Sequence, residues 1–219
     1  MPRESHAAKQ TRVKKIITVL KRTHPDAKLA LDFSNSLELL VALILAAQAR
    51  DDLVNVVTPA LFKKYRTAAA YAGENESVLQ KPVSRINFFR QKTRSIQKAC
   101  AMLVKDFHGK APDNIDDLLK LPGVGRKTAN AILANAFGHP AIVVDTHTGR
   151  LSQRLGLTTR DDPDKIETDL TEIVPRKEWT KFCHLLQFHG RRVCMARKPN
   201  CPSCSINKLC PWPEKTKAA

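Results

Sequence analysis

The sequence predicts an all-α protein whose C-terminal segment is organised by a metal centre. Three observations carry this expectation. Apolar residues recur at spacings of three and four along most of the chain, the period that lines one face of a helix. Only "AIVV" at 141–144 reads as a strand, and it is too short and solitary to build a sheet. From Cys194 onward the chain turns rich in Cys, Pro and Lys and poor in large apolar residues, so burial alone cannot fold it.

The helices follow in order. "RVKKIITVLKR" opens the series, then "SLELLVALILAAQ" with Ser36 expected as its cap, then "LVNVVTPALFKKY" with Asp51 or Asp52 as its cap. "SIQKACAMLVKDF" and "IDDLLKL" come next. The apolar run "LLVALILAA" at 39–47 is far shorter than the ~20 residues of a membrane span, and it reads as a buried helix. The start, "MPRESHAAKQ", carries no apolar signal region. No membrane partner is expected, and the expected location is intracellular, where disulfides are rare. The six cysteines are then core residues or metal ligands.

Charge narrows the partners. Lys and Arg number 37 against 21 Asp and Glu, a formal net charge of +16. Such an imbalance says nothing about fold, but it predicts attraction to a polyanion, most often nucleic acid.

The most informative stretch is "NIDDLLKLPGVGRKTANAILANAFG". A short helix leads into Leu121-Pro122-Gly123-Val124-Gly125, and a second helix runs to Gly138, placed to terminate it. Gly123 and Gly125 let the backbone turn tightly and approach another molecule without a Cβ. The second helix then points its free N–H groups outward, where phosphate oxygens bind without their sequence being read. Lys127 stands at the start of that helix, where its charge opposes the helix dipole, so local stability does not explain it.

"LPGVGRKTANAIL", followed by "VDTHTGRL" at 144–151, resembles the helix–hairpin–helix glycosylase superfamily, and more narrowly the bacterial endonuclease III family. The resemblance extends from "SLELLVALILAAQARDD" to the C-terminal cysteines. It implies two helical domains with a DNA-binding cleft between them. One would be a central helical barrel over 29–139 carrying the hairpin; the other, discontinuous, would join 1–28 to 140–219. It also answers the question Lys127 raises. A lysine attacks a carbon electrophile only as the free amine, which a helix N-terminus, a neighbouring Arg126 and partial desolvation all favour. The resemblance gives Lys127 the role of nucleophile at C1′ of a damaged nucleotide.

Asp145 follows "AIVV" and precedes "THTGRLSQRLGL", and it is fully explained as a helix N-cap. A capping carboxylate accepts N–H bonds that favour its ionised form, which suits the stabilisation of a cationic sugar. The resemblance makes Asp145 the second catalytic residue. Lysine and aspartate together imply base removal coupled to strand cleavage.

Cys194, Cys201, Cys204 and Cys210 form a C-x6-C-x2-C-x5-C array. Four thiolates in one loop suit structural zinc or a [4Fe–4S] cluster. Zinc sites more often use two separated C-x2-C pairs, and the resemblance implies [4Fe–4S]. Arg191, Arg192, Arg197 and Lys198 are expected to offset its charge and reach DNA phosphates. Cys100 and Cys183 lie in helical runs and read as buried thiols.

Chemistry at C1′ requires the base to leave the stack and the gap to be filled. Gln48 in "LAAQARD" matches the family's gap-filling glutamine. "NFFRQKT" at 87–93 replaces a loop usually close to G-L-Y-N-x-K-A. Asn87 stands for the glycine and is expected in the left-handed conformation, Phe88 takes the place of the apolar wedge, and Arg90 replaces an asparagine. Leu121, Gly123, Gly125, Arg126 and His147 complete the expected DNA contacts. The implied function is a bifunctional glycosylase and abasic-site lyase that removes oxidised pyrimidines of the thymine glycol type. Its partner would be double-stranded DNA with damaged pyrimidines or abasic sites, bound by a monomer in a bacterial cytoplasm near the nucleoid. The alternatives are a pyrimidine-dimer or mismatch glycosylase of the same superfamily and a non-catalytic DNA-binding module. An adenine–mismatch enzyme would lack the lysine and carry a glutamate in the helix that here ends in "AAQARD".

Overall fold

The structure, a computed structural model, describes residues 4–215, and the described residues are helical with no strand. The backbone divides into two compact units, Leu29–His139 and a split unit of Met1–Lys28 with Pro140–Ala219.

The central unit holds seven helices: α2 (Ser36–Ala46), α3 (Asp51–Lys64), α4 (Ala68–Gly73), α5 (Glu76–Val83), α6 (Phe89–Asp106), α7 (Ile115–Lys120) and α8 (Arg126–Ala136), taking α1 as the N-terminal helix of the split unit. Helix α2 is its axis. Leu39, Leu40, Val41, Ala42, Ile44 and Leu45 are all buried, so this helix is apolar around most of its circumference and packs against α3, α6 and α8. Its cap is Asn35, whose side chain accepts the Glu38 N–H, and not the expected Ser36. The shift has a simple cause: Glu38 returns the bond by accepting the Ser34 N–H, closing a local box one residue earlier. Helix α3 likewise begins at Asp51 itself, with Arg50 at the cap position and no side-chain cap bond.

The split unit combines α1 (His6–Thr23) with α9 (Thr146–Arg154), α10 (Pro163–Ile173), α11 (Trp179–Arg192) and two short 3₁₀ turns. Val13, Ile16, Ile17 and Leu20 of α1 join Leu151, Leu170, Phe182, Leu185 and Leu186 in one core. The "AIVV" segment is not a strand. With no neighbouring strand to pair with, its backbone turns to α11: the Val143 N–H donates to Cys183 Sγ at 3.3 Å and the Ala141 N–H to Thr180 Oγ1 at 3.5 Å. Its β-like composition reflects burial of Ile142 and Val144 in the core. Cys183 and Cys100 are buried thiols, each pushed up to about 12 by desolvation.

Tyr71 gives a test of the central core. It is 1% exposed and its ring lies 5.0 Å from that of Tyr65, yet its hydroxyl has no hydrogen-bond partner among the described residues. Removing an unpaired buried hydroxyl while keeping the ring relieves a desolvation penalty of about 1 kcal/mol. Tyr71→Phe is expected to leave urea stability unchanged or raise it by up to about 1 kcal/mol. A loss larger than that would mean the hydroxyl is satisfied.

Candidate functional site

The hairpin is built as a tight turn between α7 and α8. The Leu121 N–H donates to Leu118 O at 3.1 Å, and the Val124 N–H to Leu121 O at 3.0 Å. Leu121 is only 2% exposed and its side chain belongs to the core, so any DNA contact at this position is left to the backbone. The two glycines are there for different reasons. Gly123 has φ +84, and a Cβ there would lie 2.8 Å from Ser95 Cβ on α6. Gly125 has open space around it and φ −96; it is the N-cap of α8 and, having no side chain, leaves the first-turn N–H groups without a side-chain cap. Arg126 and Lys127 are exposed on that first turn. No hydrogen bond or ion pair holds the Lys127 ammonium among the described residues of its own unit.

Two further corners of the central unit share a groove with the hairpin. Gln48 (φ 54) ends the turn after α2, and Phe88 (φ 59) is the N-cap of α6. The left-handed residue is Phe88 and not the expected Asn87, because the chain reverses at the residue immediately before α6 begins. That conformation leaves the Phe88 ring 62% exposed, while Phe89 packs partly against the core. Gln48, Phe88 and Gly123 line one open groove, with Ile44, Ser95 and Lys92 beneath.

Lys92 is a residue the sequence analysis did not single out. It is buried, and its ammonium donates to Leu45 O at 2.8 Å, tying the first turn of α6 to the C-terminus of α2. Burial lowers its pKa. Position 92 reads in sequence as an ordinary charged helix residue; only the fold shows that it lies inward.

In the split unit Asp145 is the N-cap of α9. Its Oδ1 accepts the Thr148 N–H at 2.7 Å, and its Oδ2 accepts Gln187 Nε2 of α11 at 2.9 Å. Both oxygens are thus held by neutral donors, and Gln187 is a further residue with no signal in the sequence. His147 does not stand free: its Nδ1 lies 3.2 Å from Arg150 Nη2, and its ring packs over Gly190, where a Cβ would lie 3.0 Å from Nδ1.

The four loop cysteines line one cavity with Arg154, His189, Ile206 and Trp212. Burial raises the pKa of Cys204 and of Cys210, and the neighbouring thiols add to it, so this loop accommodates four thiolates only with a cation among them. Lys215 lines the same cavity, and Arg154 is one cation on the loop. Its Nη1 donates to Cys194 Sγ at 3.3 Å and to Met195 O at 2.8 Å, its Nη2 donates to Ala196 O at 3.0 Å, and it stacks over Trp212. The guanidinium of Arg192 is paired with the exposed Asp26 through bonds of 3.0 and 2.6 Å. Arg150 adds a bond to Cys194 O at 3.0 Å. The i, i+4 spacing of Arg150 and Arg154 in "GRLSQR" could have placed both on one face, but not against the loop.

The glycine hairpin with its uncapped helix start and exposed lysine lies in one helical unit, and the four-cysteine loop in the other. Residues 41–176 match the HhH-GPD superfamily base excision DNA repair proteins. An endonuclease III of Synechocystis is 47% identical over 206 residues, 94% of each chain. A trapped endonuclease III–DNA covalent intermediate superposes with a TM-score of 0.87 at 43% identity, covering 92% of this chain and 95% of that one. A thermostable thymine-DNA glycosylase shares the fold, with a TM-score of 0.82 at 22% identity, covering 94% of this chain and 98% of that one. The chain belongs to the HhH-GPD superfamily of base excision DNA repair proteins and, within it, to the endonuclease III family.

The two hairpin glycines yield opposite expectations. Gly123→Ala forces a Cβ into Ser95 at a left-handed φ and is expected to cost roughly 1–3 kcal/mol of stability. Gly125→Ala fits sterically and is expected to cost less than about 1 kcal/mol as a poorer cap, while still weakening duplex binding. Urea melts and fluorescence-anisotropy titrations on the same preparations check both; equal stability losses would contradict the assignment.

Proposed function

We propose that this protein is a bifunctional DNA glycosylase and abasic-site lyase acting on oxidised pyrimidines, with Lys127 as nucleophile and Asp145 as electrostatic partner. The observation that carries the reading is Lys127 itself, exposed and unpaired within its unit on the bare first turn of α8. The central unit would read the DNA. Phosphate oxygens would meet the N–H groups that Gly125 leaves uncovered, together with Arg126 and the exposed backbone of Gly123. Phe88 would enter the stack as the wedge and Gln48 would fill the space left by the extruded nucleotide, both from the rim of the same groove. His147 would contact the strand backbone from the start of α9.

In the reaction, the free amine of Lys127 forms a bond to C1′ as the glycosidic C–N bond breaks, and the base leaves with the bonding electrons and takes up a proton. Positive charge develops on the sugar in this step. Asp145, with both oxygens fixed by Thr148 and Gln187, suits stabilisation of that charge more than proton abstraction. Opening of the sugar ring gives a Schiff base between Lys127 and C1′. Loss of a C2′ proton and departure of the 3′ phosphate oxygen then break the strand on the 3′ side.

The four cysteines would hold a [4Fe–4S] cluster. Four thiols of one short loop lining a shared cavity, with a single C-x2-C pair, support it over zinc, whose sites more often use two such pairs. When bound, the cluster supplies the cross-links that fold a loop with little core of its own. Iron and acid-labile sulfide in the purified brown protein are expected, and zinc alone would contradict them.

Borohydride trapping on a duplex containing one thymine glycol tests the chemistry. Wild type is expected to give a covalent complex, and Lys127→Gln none, with duplex binding largely kept. Trapping by Lys127→Gln would remove the nucleophile assignment. Trapping of wild type only on a plain abasic site would keep the lyase and remove the substrate claim; failure on both duplexes would point to a monofunctional or binding-only protein.

A further inference from the structure

A chain of buried rings leads from α1 to the cysteine loop. His189 Nε2 lies 3.3 Å from Cys204 Sγ, and His189 Nδ1 lies 3.1 Å from His24 Nε2. The two histidines are 2% and 1% exposed, and their ring centroids are 5.3 Å apart, edge to face. His24 Nδ1 is buried with no partner.

These contacts fix where the protons sit. A metal-bound thiolate only accepts, so the ring nitrogen facing Cys204 must carry the hydrogen. His189 Nε2 is then the donor, and its Nδ1 presents a lone pair to His24. His24 Nε2 must donate to that lone pair, which leaves His24 Nδ1 bare. The one unsatisfied atom of the chain is thereby a lone pair. In the opposite arrangement it would be a buried N–H without an acceptor, the rarer and costlier case. We propose that His24 is a positioning residue that locks the tautomer of His189, so that His189 donates an N–H···S hydrogen bond to Cys204. This rests on the loop binding a metal centre through its thiolates. For a [4Fe–4S] cluster the consequence is electronic: donors to ligand sulfur stabilise the more electron-rich reduced state and raise the reduction potential. Arg154 acts in the same sense on Cys194. Cys194 and Cys204 thus each receive a side-chain N–H from outside the loop.

Two measurements on the holoprotein decide the matter. In wild type with ¹⁵N-labelled histidine, long-range ¹H–¹⁵N spectra are expected to show both His24 and His189 protonated at Nε2. A proton on Nδ1 of either ring would overturn the proposal, whatever metal the loop holds. Film voltammetry then compares His24→Gln, which keeps a donor close to Nε2, with His24→Leu and His189→Leu. His24→Leu and His189→Leu are each expected to shift the midpoint potential to more negative values, their combination to shift it no further, and His24→Gln to stay with wild type. A His24→Leu protein with full iron content and an unshifted potential would also overturn it. Should His24→Leu fail to load iron, the tautomers of wild type decide alone. Iron and sulfide content reports separately on the nature of the cluster, so failure of that reading is distinguishable from failure of the relay.

Discussion

The central unit depends on one close approach, that of Gly123 to α6. A side chain at 123 would strike Ser95 Cβ and come within 3.7 Å of Ile44 Cγ2 on α2, so the hairpin seats on both helices with only a hydrogen at the contact. Everything that could touch DNA from this unit is arranged by that seat. Helix α6 begins at the exposed Phe88, α2 ends just before the exposed Gln48, and α8 begins with Lys127 on its first turn. Lys92 completes the arrangement from below. An ammonium with a single carbonyl partner is an expensive thing to bury, and it is retained where it ties α6 to the end of α2.

Capping follows the same division. In the central unit, α2, α4, α5 and α7 start with Asn or Thr side chains bonded to first-turn N–H groups. Helices α3, α6 and α8 start with Arg50, Phe88 and Gly125, none of which makes such a bond. Each missing cap forgoes about 1 kcal/mol. The three uncapped helices are those that follow the turn at Gln48, the loop at Phe88 and the glycine hairpin. Helices α6 and α8 carry no acidic side chain in the first turn and begin where a DNA-reading role is proposed, whereas α3 carries Asp51 and Asp52 there, which would repel an anion.

This explains what could and could not be read from the chain. Helices α1, α2, α3, α6 and α7 were legible from their apolar spacing, and the hairpin because glycine and proline mark a turn whatever surrounds it, whereas the short α4 and α5, and α10, were not singled out. The cysteine loop was legible from spacing, since its ligands are local. Illegible were the features made by residues far apart in sequence: Lys92 under Leu45, Gln187 on Asp145, Arg154 on Cys194, and His24 through His189 on Cys204. The strand-like "AIVV" misled for the same reason, because β-branched composition signals burial as well as pairing. The left-handed turn fell on Phe88 where composition favoured Asn87, since the start of α6 and not residue preference sets where the chain reverses.

In the split unit, α9 and α11 each connect Asp145 to the cysteine loop. Helix α9 has Asp145 as its cap, and its Arg150 and Arg154 bind the loop backbone and Cys194. Helix α11 holds Asp145 through Gln187 and meets Cys204 through His189, two residues further on. The loop has little core of its own, so if the proposed cluster orders it, its loss would deprive these arginines and His189 of fixed partners at one end of both helices. The carboxylate at the other end is positioned by the same two helices and by neutral donors alone. A cluster in this loop therefore bears on the proposed chemistry without touching DNA or exchanging an electron: it fixes the helices that aim Asp145. Electron transfer is not needed to account for such a cluster, since the contacts of Arg154 with Cys194 and of His189 with Cys204 already tie the loop to both helices.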